Sequence, residues 1–165
     1  MTQSSVVEPK VTVEIRRLQP GEDGTAFRTL NEEWIQKYFI LEARDREVLG
    51  APEKILADGG QIYFVYSGAE VVGCVALMAF GDGVFELTKM AVSPEMRGLG
   101  IGRKLLTHVL ADARTLGAST VFLGSSTTLK NAVHLYESLG FEHVPPESLP
   151  WIKYARASVF MRMEL

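Results

Sequence analysis

Between Met90 and Leu106 the chain reads M-A-V-S-P-E-M-R-G-L-G-I-G-R-K-L-L. Gly98, Gly100 and Gly102 alternate behind Arg97 and open a run of helical character. A helix start leaves several backbone N–H groups without partners and carries a partial positive charge. Glycines there let an anion approach the main chain closely, and phosphate is the usual ligand. The spacing excludes two common phosphate binders. A P-loop requires G-x-x-x-x-G-K-[ST], whereas Arg103, Lys104 and Leu105 follow Gly102. A dinucleotide fingerprint requires G-x-G-x-x-G near the start of a βαβ unit, whereas the pattern here is G-x-G-x-G. Just upstream, Glu86 interrupts the apolar stretch V-F-E-L-T-K-M-A-V. Partial burial would raise its pKa toward neutrality; on the polar face of a half-exposed strand it would be an ordinary surface acid. Cys74 reads as a small buried apolar residue. His108, His134 and His143 lack metal-ligand spacing and cysteine partners, so they are expected at the surface or at an edge, and no metal site is expected.

The elements around this loop follow from periodicity. Val11 to Leu18 alternates apolar and polar residues, as a half-buried strand does. Phe27, Leu30, Trp34, Ile35 and Tyr38 fall at helical spacing within Asp23 to Ile40. A shorter helix is expected between Asp45 and Ala57, interrupted near Gly50-Ala51-Pro52. Gln61–Tyr66, Val71–Phe80 and Val84–Val92 are strand-like and separated by turn signals at Ser67-Gly68 and Gly81-Asp82-Gly83. The second of them is apolar enough to be buried on both faces. After the glycine loop comes an amphipathic helix ended by Gly117. A short strand at Thr120–Gly124, a helix from about Leu129 to Leu139, and strands at Phe141–Val144 and Ser158–Glu164 complete the order. A strand–helix–strand unit inside an otherwise antiparallel sheet implies an α+β (mixed α/β) fold with a central mixed, mostly antiparallel sheet flanked by helices.

With the elements placed, R-x-x-G-x-G at Arg97–Gly102, preceded by E-L-x-K-M-A-V and Ser-Pro, resembles the GCN5-related N-acetyltransferases (GNAT). Leu135-Tyr136-Glu137-Ser138-Leu139-Gly140-Phe141 matches the L-Y-x-x-x-G-F signature of that family. Leu30-Asn31-Glu32-Glu33-Trp34-Ile35 with Tyr38-Phe39, and Tyr154-x-Arg156, look like a small bacterial subgroup. The resemblance implies a GNAT fold and acyl transfer from acetyl-coenzyme A to an amine. It assigns the cofactor's diphosphate to Arg97, Gly98, Leu99, Gly100, Ile101, Gly102 and Arg103. Its thioester falls to backbone groups of Met90, Ala91 and Val92. Many members carry an asparagine seven residues before the tyrosine, on the pantetheine arm; here that position is Leu129, and Asn131 is the nearby candidate. An alkylammonium with a pKa near 10.4 must lose a proton before it attacks, and Glu86 is the implied base. Tyr136 is the implied partner of the departing thiolate. A phenol near pKa 10 is a weaker acid than a thiol near 8.5, so full proton transfer is uphill by roughly 2 kcal/mol and a hydrogen bond is expected instead. Trp34, Tyr38, Tyr154 and Arg156 are candidates for the acceptor pocket. Trp34 could equally pack in the core. Glu32, Glu33, Glu42 and Asp45 could attract a cationic amine or could be solvated helix faces.

The 165 residues suit one acetyltransferase domain over 11–165 behind a loose tail at 1–10. A net charge of −3 and the scattered basic residues argue against a nucleic-acid partner. No run is long and apolar enough for a bilayer, the N-terminus lacks signal-peptide order, and the single cysteine forms no internal disulfide. A cytoplasmic enzyme is the expectation. Three acceptor readings stay open: a small-molecule amine, a protein N-terminus or lysine, and a non-catalytic acyl-CoA sensor. A homodimer also stays open.

Overall fold

The period-two stretches all enter one sheet. In the computed structural model, which describes residues 12–165, the strands are β1 (Glu14–Arg17), β2 (Gln61–Ser67), β3 (Glu70–Ala79), β4 (Val84–Val92), β5 (Thr120–Ser125), β6 (Glu142–His143) and β7 (Val159–Glu164). Their spatial order is β1-β2-β3-β4-β5-β7-β6. Every pairing is antiparallel except β4 with β5. That one parallel pair follows from the crossover through helix α4 (Ile101–Thr115), since a parallel connection needs a long return path. The other helices are α1 (Thr25–Tyr38), α2 (Ala43–Leu49), α3 (Pro52–Ala57) and α5 (Lys130–Leu139). The expected interruption at Gly50-Ala51-Pro52 separates α2 from α3, and Pro52 opens α3 where its missing N–H costs nothing. The tail expected at 1–10 lies outside the described residues.

Two cores lie on the two faces of the sheet. Phe27, Ile35, Val48, Leu49 and Ile55 of α1–α3 pack on Ile62, Phe64, Cys74, Ala76 and Ala91. Leu105, Leu106, Val109, Leu110 and Ala113 of α4, with Tyr136 of α5, pack on Tyr63, Val65, Val75, Leu77 and Leu87. β3 contributes to both cores, and its central residues are buried throughout, as its continuous apolar run predicts. Away from the glycine loop, Arg17 of β1 holds Asp112 of α4 with two hydrogen bonds of 2.7 and 2.8 Å, and the Tyr63 hydroxyl donates to the same carboxylate. Among the described residues no helix is long and apolar enough to cross a membrane.

One break in strand regularity positions the functional region. Thr88 pairs with Ala76 and Ala91 pairs with Cys74, so Lys89 and Met90 together stand opposite Val75. This is a β-bulge, and its first residue, Lys89, has φ 57°. Left-handed backbone at a residue with a Cβ costs on the order of 1–3 kcal/mol and has to be held by its surroundings. The insertion reverses the faces of the strand. Leu87 lies in the α4/α5 core, yet Ala91 lies in the α1–α3 core. Lys89, which strict alternation would place with Leu87, reaches Asp45 of α2 instead.

Candidate active site

β4 and β5 pair only from Val84 to Glu86, against Thr120 to Phe122. Past that point β4 runs on to Val92 while β5 continues to Ser125 beside β7 alone. The divergence leaves backbone groups of β4 beyond Glu86 without partners from β5. A cleft of about 840 Å³ occupies it, reaching from the glycine loop to Trp34, Tyr154 and Arg156.

The glycine loop forms one end of the cleft. A 3-10 turn at Pro94–Met96 leads into it, and Gly100 is the N-cap of α4. Gly98 and Gly100 have φ 79° and 77°, a conformation that L side chains rarely adopt. A Cβ at either would meet nothing within 4 Å, so these glycines serve their backbone shape and border open space. No side chain among the described residues caps α4, which leaves its first-turn N–H groups available to a ligand. The helix begins at Ile101, so Gly102 and Arg103 belong to its first turn rather than to the loop that precedes it. A Cβ on Gly102 would come within 3.3 Å of Leu135, where α4 and α5 approach closely. Met90, Ala91 and Val92 border the cleft from the strand, and Arg97, Ile101, Arg103 and Asn131 border it from the loop and helices. Leu99 is 46% exposed and does not line it, so only its backbone remains a candidate. Arg97 is held from two sides, by the Val92 carbonyl at 3.1 Å and the Glu33 carboxylate at 2.7 Å. Leu129, at the position where the family pattern has asparagine, is the N-cap of α5 and borders the cleft beside exposed Asn131.

Glu86 and Tyr136 both border the cleft, and neither side chain has a hydrogen-bond partner among the described residues. Burial pushes the Glu86 carboxyl up to about 7, against the charges of Lys89 and Arg44, which pull the other way. Tyr136 is buried against Phe141, and burial raises its phenol to about 12.

The opposite end of the cleft is built from side chains of four separated segments. Asp45, fully buried, accepts four hydrogen bonds: from the Glu42 backbone N–H at 2.9 Å, from Lys89 Nζ at 2.7 Å, and from Arg156 at 2.7 and 2.8 Å. Burial alone would raise its pKa; the Arg156 hydrogen bonds and the charge of Lys89 reverse that and hold it at about 2. Burial lowers the Lys89 pKa while the Asp45 carboxylate opposes the change. Lys89 also donates to the Tyr154 hydroxyl at 2.9 Å and lies 4.2 Å from the centre of that ring. Glu42 accepts from the Ala155 N–H at 3.0 Å and from Arg156 at 3.3 Å. Asp45 is buried and Glu42 half-buried, and both are engaged with the segment around Arg156. Trp34 is partly buried and borders the cleft, with its indole N–H donating to Asn31 at 2.9 Å. Tyr38 is 47% exposed at the rim.

Sequence alone did not point to Asn31 or Lys89 as side chains of this cluster, and it offered Asp45 only as an acid that could attract an amine or be solvated. Asn31, fully buried, donates to the Lys89 carbonyl at 3.0 Å and so ties the bulge to α1. Lys89 and Asp45 form a buried pair. The signals were a polar residue on the apolar stripe of α1, between Phe27 and Ile35, and a lysine in an otherwise apolar strand. Cys74 is buried, and burial raises its thiol to about 12, which agrees with a packing role. The three histidines are exposed.

The comparisons with known proteins bear on this geometry. The model of the acetyltransferase (GNAT) family matches residues 25–141. An uncharacterized N-acetyltransferase of Escherichia coli (strain K12) is 36% identical over 96 residues, which is 55% of this chain and 57% of the relative. The chain matches a little over half the length of its first curated relatives. A GNAT-family acetyltransferase structure from Staphylococcus aureus Mu50 has a TM-score of 0.84 at 21% identity, covering 93% of this chain and 99% of its own. A GNAT-family acetyltransferase from Elizabethkingia anophelis, solved with acetyl-CoA bound, has a TM-score of 0.63 at 18% identity, covering 93% and 98%. At these identities the two structures show a shared fold.

Proposed function

The chain belongs to the GNAT acetyltransferase family, and from that premise we propose that it transfers an acetyl group from acetyl-CoA to the primary amine of a small molecule, by direct transfer in a ternary complex. The observation that carries this reading is the single cleft joining the glycine loop to Glu86 through the divergence of β4 and β5. The donor end suits a diphosphate: uncapped N–H groups at the start of α4 lie between Arg97 of the loop and Arg103 of the first helical turn. Bound there, acetyl-CoA supplies an acetyl group already activated as a thioester.

The residues of the chain do the rest. Glu86, with a pKa of about 7, is partly ionised at neutral pH and accepts the proton that the ammonium must lose. Backbone N–H groups of β4 beyond the paired segment stabilise negative charge on the acyl oxygen. Tyr136 donates a hydrogen bond to the departing sulfur. With the phenol at about 12 and a thiol near 8.5, proton transfer from tyrosine to thiolate is uphill by about 5 kcal/mol, so Tyr136 acts as a donor and not as an acid.

Two observations favour a small acceptor over a polypeptide. Glu42 and Asp45 pin the Ala155–Arg156 segment onto α2. Ile152 packs over Gly124, leaving only 2.8 Å from its side chain to where a Cβ would stand. The segment thus roofs the acceptor end. Glu86 and Tyr136, both on the cleft and both unpartnered, favour an enzyme over an acyl-CoA sensor. A thiol-release assay with acetyl-CoA over a panel of amines tests the reading, with Glu86→Gln and Tyr136→Phe alongside. Amine-dependent release that falls in both variants supports it; wild-type rates in both contradict the assigned roles.

A further inference from the structure

The charges facing the cleft are lopsided. Its charged lining side chains are Glu86 on one hand and Lys89, Arg97, Arg103, Lys130 and Arg156 on the other. Arg97 and Arg103 stand at the glycine-loop end, and Lys130 at the start of α5. At the acceptor end Lys89 and Arg156 face Glu86, while the acids that balance them, Asp45 and Glu42, stand behind and do not line the cleft.

The uncommitted donors lie at the same end. Lys89 Nζ uses one N–H on Asp45 and one on Tyr154, which leaves a third. The Tyr154 hydroxyl accepts from Lys89, so its own proton is uncommitted. Arg156 spends both Nη1 protons on Glu42 and Asp45 and one Nη2 proton on Asp45. Its Nε–H and second Nη2–H remain. Buried donors are normally satisfied. The remaining donors of Lys89, Tyr154 and Arg156 all belong to side chains that line the cleft, and two of these three groups are cationic.

Resting on the acetyltransferase reading above, we propose that the acceptor is a primary amine that also carries a carboxylate, as an α-amino acid does, with the carboxylate on Tyr154, Arg156 and Lys89 and the amine at Glu86. The two ends of such a zwitterion match the two signs of charge across this part of the cleft. A polyamine or an aminoglycoside carries several ammonium groups and would meet one carboxylate, already committed as the base, and two fixed cations. Arg156 is also 4.5 Å from the centre of the Tyr154 ring and 5.9 Å from that of Trp34. Its guanidinium plane is therefore fixed before a ligand arrives, which suits it to a planar carboxylate.

The test is a thiol-release assay of the wild-type protein with matched pairs: leucine against isopentylamine, phenylalanine against phenethylamine, lysine against cadaverine, and each amino acid against its amide. The best amino acid should exceed its decarboxylated and amidated partners in kcat/KM by about 30-fold or more, because a site left with unpaired donors rejects the analogue lacking their acceptor. Tyr154→Phe, which keeps the ring, should shrink that ratio by about tenfold through a higher KM for the amino acid. Calorimetric titration of the amino acid onto the coenzyme A complex should weaken in step. Equal or faster turnover of the carboxylate-free partners, or a polyamine as best acceptor, overturns this inference and leaves acetyl transfer standing. No release with any amine, despite binding of acetyl-CoA, overturns acetyl transfer and this inference together. The matched pairs use only the wild-type protein, so their outcome holds whether or not Tyr154→Phe folds.

Discussion

The two ends of the cleft are made of different material. The donor end is main chain: a loop shaped by Gly98 and Gly100, an uncapped helix start, and a strand edge that β5 abandons after Glu86. The acceptor end is side chain: Asp45 of α2, Lys89 of β4, Tyr154 and Arg156 of the segment before β7, braced by Asn31 of α1. A main-chain site needs only a local backbone shape, so one short stretch of sequence encodes it. A side-chain site needs several segments brought together and buried charge held in balance. The acceptor end is therefore the more fragile of the two and, on the proposed reading, the one that sets specificity.

Perturbations of matched charge pairs should expose that difference most strongly. Removing the Asp45 carboxylate with Asp45→Ala strands Lys89 and Arg156 in the interior, and loss of one partner of a buried pair costs about 3–5 kcal/mol. Glu33→Ala breaks the Arg97 pair at the donor end, where both side chains are about one-third exposed, and should cost under about 1 kcal/mol. Denaturant unfolding of the two variants measures the contrast; equal losses would erase it. The linkage sign is fixed by the depressed Asp45 pKa of about 2. Its ionised form stabilises the fold above the unfolded value near 3.9, and that contribution fades as pH falls from about 4 to about 2. The acid limb should be missing in Asp45→Ala.

Next in size is the chemistry between the two ends. Glu86→Gln should lower kcat by about 100-fold or more. Because its pKa is raised to about 7, Glu86 is protonated at low pH and becomes a base as pH rises. The kcat/KM profile should therefore climb through an inflection near 7 that the glutamine variant lacks. A retained inflection would move the base elsewhere. Gly100→Val forces a β-branched residue into left-handed backbone and puts a side chain into the open space of the donor end. It should raise the acetyl-CoA Kd by about 30-fold in calorimetry, roughly 2 kcal/mol, with the amine KM unchanged. Tyr136→Phe should have the smallest effect, about tenfold in kcat, as the loss of one hydrogen bond does.

Legibility in the sequence follows the same divide. The strands, the glycine loop and the α4 and α5 starts rest on local signals, and the structure places them within a few residues of expectation; Glu86 and Tyr136, named by resemblance, both border the cleft. In the acceptor cluster Tyr154 and Arg156 are legible only through the resemblance at Tyr154-x-Arg156, and their buried contacts have no local signal: Asp45 and Arg156 are 111 positions apart, and Asp45 and Lys89 are 44 apart. The bulge at Lys89 was invisible because V-F-E-L-T-K-M-A-V contains no glycine and reads as an ordinary strand. Its left-handed residue is held by tertiary contacts, through Asn31 on its carbonyl and Asp45 on its ammonium. The readable clues are Lys89 itself in an otherwise apolar strand and Asn31, a polar side chain four residues from both Phe27 and Ile35 on the buried face of α1.

A crystal structure of the protein with acetyl-CoA is the most direct test of the main-chain donor site. The diphosphate is expected on the N–H groups of Gly98 to Arg103, and the acetyl carbonyl between β4 and β5, with Glu86 on one side and Tyr136 on the other. A diphosphate bound away from the glycine loop, or a thioester outside the divergence of the two strands, would contradict it.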